Sequence, residues 1–315
     1  MSLPRPHVSM IVCTRNRREP LEDCLASIER AAKAAPDVDL EIIVVDNGSE
    51  DGTGEFLATV AKTSSRPFKA VQEGRTGLSI ARNAALRIAR GSILAFTDDD
   101  CQLSETYFEE LVKRYSNDDR PKVRGGRVEL GDQGDASITI KLENAAQAYD
   151  PRHAPGGFVH GCNMTMHGTV PELIGAFDED FGAGGALCAA EDTDFVVRAH
   201  LAGIPVEYVP DMAVVHHHGR RKRDEIRAVQ SAYSFGDGGL IVKYWRKAPW
   251  LRRHFAWTFR SALREFGGGP LFNASLRLSH WPLVISGVRG ALAYGSRRAA
   301  RHSAGVFRRI GAPFS

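Results

Sequence analysis

Two apolar runs rich in β-branched residues, VSMIVC at 8–13 and EIIVVD at 41–46, predict strands. Between them EPLEDCLASIERAAKAA sets Leu21, Cys24, Leu25, Ile28 and Ala32 at helical spacing. GLSIARNAALRIARG predicts a second helix at about 77–90, with Leu78, Ala81, Ala85 and Ile88 on one face and Gly91 as its stop. The next strand, SILAFTDDDC at 92–101, passes from Ile93, Leu94, Ala95 and Phe96 into three consecutive aspartates. Continuously apolar strands alternating with helices predict an α/β chain with a Rossmann-like, mostly parallel central sheet flanked by helices. Ligands of such sheets bind beyond the carboxyl ends of the strands. Cys13 to Asn16, Asp46 to Ser49 and Asp98 to Asp100 all fall at such ends.

Past residue 120 the pattern loosens into the short strand KVRGGRVEL, a Gly/Asp-rich piece at 131–135 and GGFVHGCNMTMHG at 156–168. A Gly/Ala-rich loop, FGAGGALCAA at 181–190, runs into EDTDFVVRAHLAG, where Phe195, Ala199 and Ala202 have helical spacing and Gly203 supplies the stop. IPVEYVPDMAVVHHHG then predicts a short strand, a turn and another strand carrying His216 and His218. Strand alternation allows those two to share a face while His217 points the other way. From Arg220 onward Arg and Lys are interleaved with Trp, Tyr and Phe at spacings compatible with amphipathic helices. The expected division is therefore residues 1–218 and a basic, aromatic-rich, mainly helical extension over 219–315.

Charge sharpens that division. The net charge of +3 averages 22 Lys/Arg against 34 Asp/Glu in residues 1–218 with 19 against 4 in residues 219–315. Five cysteines, without a CxxC pair, suit reduced thiols in the cytoplasm better than a disulfide framework or a zinc knuckle. The first residues lack the basic start and long apolar stretch of a secretory signal. The most apolar window, 281–294, is short for a membrane span and carries Arg289. A cytoplasmic protein, soluble or peripheral at the inner membrane face, is expected.

Adjacent carboxylates repel, so Asp98, Asp99 and Asp100 call for a compensating cation, donors or solvent. Opposite another aspartate at a neighbouring strand end, they suit a divalent ion holding a nucleotide diphosphate. Asp46, followed by the polar turn NGSEDGT, is placed to accept hydrogen bonds from a base or ribose. Thr14, Arg15 and Asn16 are nucleotide-contact candidates, with capping of the following helix as their alternative role. His160 and His167 are expected to be structural.

The blocks VSMIVCTRNR, EIIVVDNGSEDGT, GLSIARNAALRIARGSILAFTDDDC and AAEDTDFVVRAHLAGIPVEYVPDMAVVHHHG, in this order and spacing, resemble the family 2 glycosyltransferases of the GT-A fold. The resemblance covers about residues 7–218. It implies an inverting transferase that moves a sugar from a nucleotide-diphosphate donor, most commonly a UDP-sugar, to a hydroxyl of a glycan or lipid-linked acceptor. It implies base contacts from Thr14 and Asp46, a basic contact from Arg82, and a Mn²⁺ or Mg²⁺ ion on the aspartates. Aligned on Ser104, Asp98 faces the ribose and Asp99 is the preferred metal ligand; read as Asp98-x-Asp100, the ligand is Asp100. It further implies Asp192 as general base beside Glu191, and His216 at the metal or the diphosphate.

Such transfer needs a carboxylate to take the acceptor's proton and a cation to absorb charge on the leaving diphosphate. A metal-dependent phosphatase or nucleotidyltransferase would share strand-end carboxylates, but its nucleophile or triphosphate-loop signature is missing from the sequence. A nucleotide-sugar-binding module without turnover would not need Asp192. The tail's composition suits an anionic membrane surface. The acidic N-terminal region and the absence of any recognised DNA or RNA module argue against nucleic acid.

Overall fold

A computed structural model describes residues 7–310. The predicted first strand, helix and second strand form as β1 (His7–Thr14), α1 (Arg18–Ala34) and β2 (Asp39–Asp46). The NGSEDGT turn leads into a further helix, α2 (Thr53–Thr63), and then into β3 (Phe68–Gln72). The second predicted helix is α3 (Leu78–Leu86), shorter than its apolar face suggests; the chain leaves it through turns at Arg87 to Ala89. β4 (Ile93–Asp98) carries the first aspartate, a tight turn the other two, and β5 (Cys101–Leu103) follows. Then come α4 (Tyr107–Tyr115), β6 (Val123–Leu130), β7 (Gln147–Ala148), β8 (Asn163–His167), α5 (Val170–Ile174), α6 (Glu191–Leu201) and β9 (Val206–His216). Three helices complete the described chain: α7 (Arg223–Lys243), α8 (Leu251–Glu265) and α9 (Trp281–Ile310).

One sheet runs in the order β3-β2-β1-β4-β8-β6-β9-β5, with β7 paired to β9. Its first four strands are parallel, and β8 inserts antiparallel between β4 and β6. Each face has its own apolar core. Val8, Met10, Val12, Ile42 and Val44 point with Leu21, Ile28 and Phe108 into one. Ile11, Ile43, Val45, Leu94 and Phe96 point with Ala81, Ala85 and Phe195 into the other. This is the period-2 alternation of strands covered on both sides.

The strand, turn and strand expected over 204–216 is instead one strand, β9, with a bulge. Gly126 of β6 pairs with Val209 and Arg127 with Ala213, so Pro210, Asp211 and Met212 are extra on one side. Pro210 cannot donate to the ladder, and a bulge accommodates it without ending the strand.

The described chain divides into two compact units, residues 7–185 with 191–221, and residues 186–190 with 222–310. The second unit is helical. Small residues let α7 and α9 cross closely: a Cβ on Gly238 would stand 1.9 Å from the Gly287 carbonyl oxygen, and one on Gly290 would stand 1.8 Å from that of Phe235. No helix among the described residues is long and apolar enough to cross a membrane.

Candidate active site

Parallel register brings the predicted strand ends together. Thr14 lies opposite Asp46, and Cys13 opposite Asp98. Asp46 is buried and accepts the Ser49 backbone N–H at 2.9 Å, which folds the polar turn over the strand end. Arg15 reaches away to Thr76 Oγ1 at 2.6 Å. Asn16 takes a left-handed φ of 52° and its side-chain oxygen accepts the Glu50 N–H at 2.7 Å. Arg15 and Asn16 therefore tie the loop after β1 to the loops after β2 and β3.

The three aspartates do not act as a block. Asp98 pairs with Arg82 Nη2 at 3.3 Å and is about a third exposed, at 34%. Asp99 turns inward, accepting Thr14 Oγ1 at 2.8 Å and facing Arg17 Nη1 at 3.2 Å. Asp100 receives Arg17 Nη2 at 2.8 Å and His216 Nε2 at 3.3 Å. The antiparallel pairing of Cys101 with His216 sets the histidine beside Asp100, and the His217 N–H holds the Asp100 carbonyl at 2.8 Å. Oxygens of Asp98 and Asp100 and a His216 nitrogen lie within 4.8 Å of one another. Of the two expected registers, Asp99 faces Thr14 and Arg17, and Asp100 is the carboxylate that meets His216. Two carboxylates with one imidazole form a hard oxygen and nitrogen donor set that fits Mn²⁺ better than the all-oxygen shell Mg²⁺ favours.

Linked to this cluster through Arg82, α6 begins with Glu191 and Asp192. Asp192 is half-buried, and its carboxylate accepts the Gly161 N–H at 3.0 Å and the Thr193 N–H at 2.6 Å. Glu191 is buried and accepts Arg82 Nη1 at 2.8 Å. Arg82, itself buried, thus spans Glu191 and Asp98. Its guanidinium lies so close to Gly161 that a Cβ there would stand 2.7 Å from Nη2. His217 is exposed, whereas His218 is buried and bonded to the Ala136 carbonyl at 3.1 Å. His167 accepts the Lys122 N–H at 2.9 Å, a structural contact.

Burial and charge set the protonation states. Burial, with Asp100 and Asp98 adding to it, pushes the Asp99 carboxyl up to about 7 against the pull of Arg17 and Thr14. Burial and the neighbouring Asp192 likewise raise Glu191 to about 7, although Arg82 opposes this. Burial works against charge on both Asp100 and His216, yet their mutual hydrogen bond wins. It holds Asp100, with help from Arg17, below the usual carboxylate range and lifts His216 to about 9. Burial also disfavours charge on Arg82, but Glu191 and Asp98 keep it protonated above its ordinary range.

Residues 9–157 match the profile of Glycosyl transferase family 2. Over that segment, just under half of its length, the chain is similar to the family 2 glycosyltransferases. It is 27% identical to EpsH of Bacillus subtilis (strain 168) over 207 residues, 65% of this chain and 58% of that one. It is 26% identical to glycosyltransferase AglE of Haloferax volcanii over 217 residues, 69% of this chain and 68% of that one. Among solved structures it resembles the mannosyltransferase PcManGT of Pyrobaculum calidifontis in complex with GDP-Man and Mn²⁺, at a TM-score of 0.61 and 21% identity, covering 98% of this chain and 82% of that one. The fold is of the GT-A type, a central α/β sheet flanked by helices with a helical region following.

Arg17 is the site residue that the sequence patterns did not single out. Its only signal is position: three residues past Thr14, just before α1, where the turn at Asn16 sends it back over the β4 end.

Proposed function

We propose that this chain transfers a sugar, with inversion, from a nucleotide-diphosphate donor to a hydroxyl of a glycan or lipid-linked acceptor, with Asp192 as general base. The observation that carries this reading is the bridge made by Arg82. One guanidinium joins Glu191 at 2.8 Å to Asp98 at 3.3 Å, tying the start of α6 to the acidic strand end. Asp98, Asp100 and His216 would hold the divalent ion, which when bound neutralises charge on the leaving diphosphate. Asp46 and Thr14 line the neighbouring strand ends, where base and ribose would lie. Gly161 and Thr193 fix the Asp192 carboxylate so that a hydroxyl arriving from the open side meets an acceptor oxygen already oriented. The proton of that hydroxyl passes to Asp192 as the sugar–oxygen bond forms and the bond to the diphosphate breaks. Glu191 keeps Arg82 in place, and Arg82 offsets negative charge beside the departing phosphates.

UDP-sugars are the first donors to test, and GDP-mannose the second because PcManGT was solved with it. Release of nucleoside diphosphate with Mn²⁺ should be detectable for one of them. Asp192→Asn should lower kcat by about 10²–10⁴-fold while leaving donor binding in place. Unchanged turnover in that variant would remove Asp192 from the role of base.

A further inference from the structure

Beneath the acidic cluster lies a second set of donors of different chemistry. Cys101 opens β5 opposite His216, and Cys162 immediately precedes β8. Both thiols are buried and free. Their sulfurs and a His216 nitrogen lie within 4.8 Å of one another. Asp100 Oδ1 stands 3.9 Å from Cys101 Sγ and 3.3 Å from His216 Nε2, so a fourth donor adjoins the three. His216 therefore belongs to two donor sets. One, with Asp98 and Asp100, is hard; the other, with Cys101 and Cys162, is soft.

We propose that Cys101, Cys162 and His216 form a site for a thiophilic d¹⁰ divalent ion, Zn²⁺ or Cd²⁺, whose occupation withdraws His216 from the hard-metal set and so blocks binding of Mn²⁺. Two sulfurs and one imidazole, with Asp100 as a fourth ligand, are a donor combination that tetrahedral zinc accepts. Metal–sulfur bonds near 2.3 Å and metal–nitrogen bonds near 2.0 Å require the separations here to contract by about 1 Å. Each thiol gives its proton to solvent as its bond to the metal forms, and no electron is transferred. Softness decides the competition, because thiolates select Zn²⁺ and Cd²⁺ over Mn²⁺ whereas carboxylates and water do not. The existence of the thiol site is independent of the transferase reading; only its competition with Mn²⁺ rests on the hard set described above.

The test is a titration of the full-length, reduced, metal-free protein with Cd²⁺, read by the ultraviolet charge-transfer absorption of thiolate–cadmium bonds. One equivalent should saturate the band in the wild type and in Cys188→Ser, which removes an exposed thiol outside the set. Cys162→Ala should lose the band and require about 100-fold more Cd²⁺ for binding, at the upper end of what loss of a supporting group costs. Cys101→Ala provides the second variant, and circular dichroism confirms that each is folded. Bound Mn²⁺, followed by electron paramagnetic resonance, should be released as the band grows. Absence of the band in the wild type, its persistence in both alanine variants, or Mn²⁺ that stays bound beside Cd²⁺ would overturn the proposal. A band in a protein that never binds Mn²⁺ would support the thiol site while sinking the hard-metal reading, so the two fail separately.

Discussion

At the scale of single residues, the aspartate run gains sense from what each carboxylate touches. Asp99 is buried against Thr14 and Arg17, and Asp100 faces His216, so removing them has unequal consequences. Asp100→Asn is expected to weaken Mn²⁺ binding by at least about tenfold, and Asp99→Asn much less, as isothermal titration would record. The proton on His216 gives a pH signature. With its folded value raised to about 9 from 6.5, the charged pair with Asp100 stabilises the metal-free protein below pH 6.5, and this contribution is lost as pH rises through 9. Mn²⁺ needs the neutral ring, so its affinity should climb with pH over the same interval, by up to about tenfold per unit. In His216→Gln the affinity should be weaker and its pH profile flatter; an equally steep profile would remove His216 from the metal set.

Among the elements, the bulge in β9 decides whether His216 reaches the site. Three extra residues between Val209 and Ala213 shift the register against β6, and the shifted half of the strand pairs Cys101 with His216. Gly126 sits at that shift, where a Cβ would stand 2.0 Å from the Met212 carbonyl oxygen and 2.3 Å from Asn163 Nδ2. Gly126→Ala must therefore push backbone apart, at a cost of about 1–3 kcal/mol. A lower urea midpoint together with weaker Mn²⁺ binding is the expected result, and a variant as stable as wild type would show that the bulge can yield. Pro210 is the mark this feature leaves on the sequence. It predicts an interruption of pairing but does not distinguish a turn from a bulge.

For the whole molecule, charge and exposed apolar surface separate the two units. The helical unit leaves Trp257, Phe259, Leu263 and Phe266 exposed along α8 and its end, with Phe266 80% accessible, and residues 219–315 hold 19 Lys/Arg against 4 Asp/Glu. We propose that this unit adsorbs to anionic membrane surfaces, where aromatic rings settle at the headgroups and cations meet lipid phosphates. The full chain should float with vesicles containing phosphatidylglycerol and lose that association as salt rises; Trp257→Ala/Phe266→Ala should reduce it severalfold. Equal flotation with neutral vesicles, or none at all, would count against the proposal.

The sequence by itself determined the strands that deliver Thr14, Asp46 and Asp98, because periodicity and β-branched composition are local properties and strand ends in a parallel sheet share an edge. It also determined the helical start at Glu191 and Asp192 and the charge split between the two regions. Only the tertiary structure decided which aspartate meets His216, that Arg17 covers the cluster, that Arg82 links Glu191 to Asp98, and that Cys101 and Cys162 share the same histidine. Each of these depends on the register between strands far apart in the chain or on the direction of a side chain at a turn. Neither is encoded in the spacing of residues along one segment.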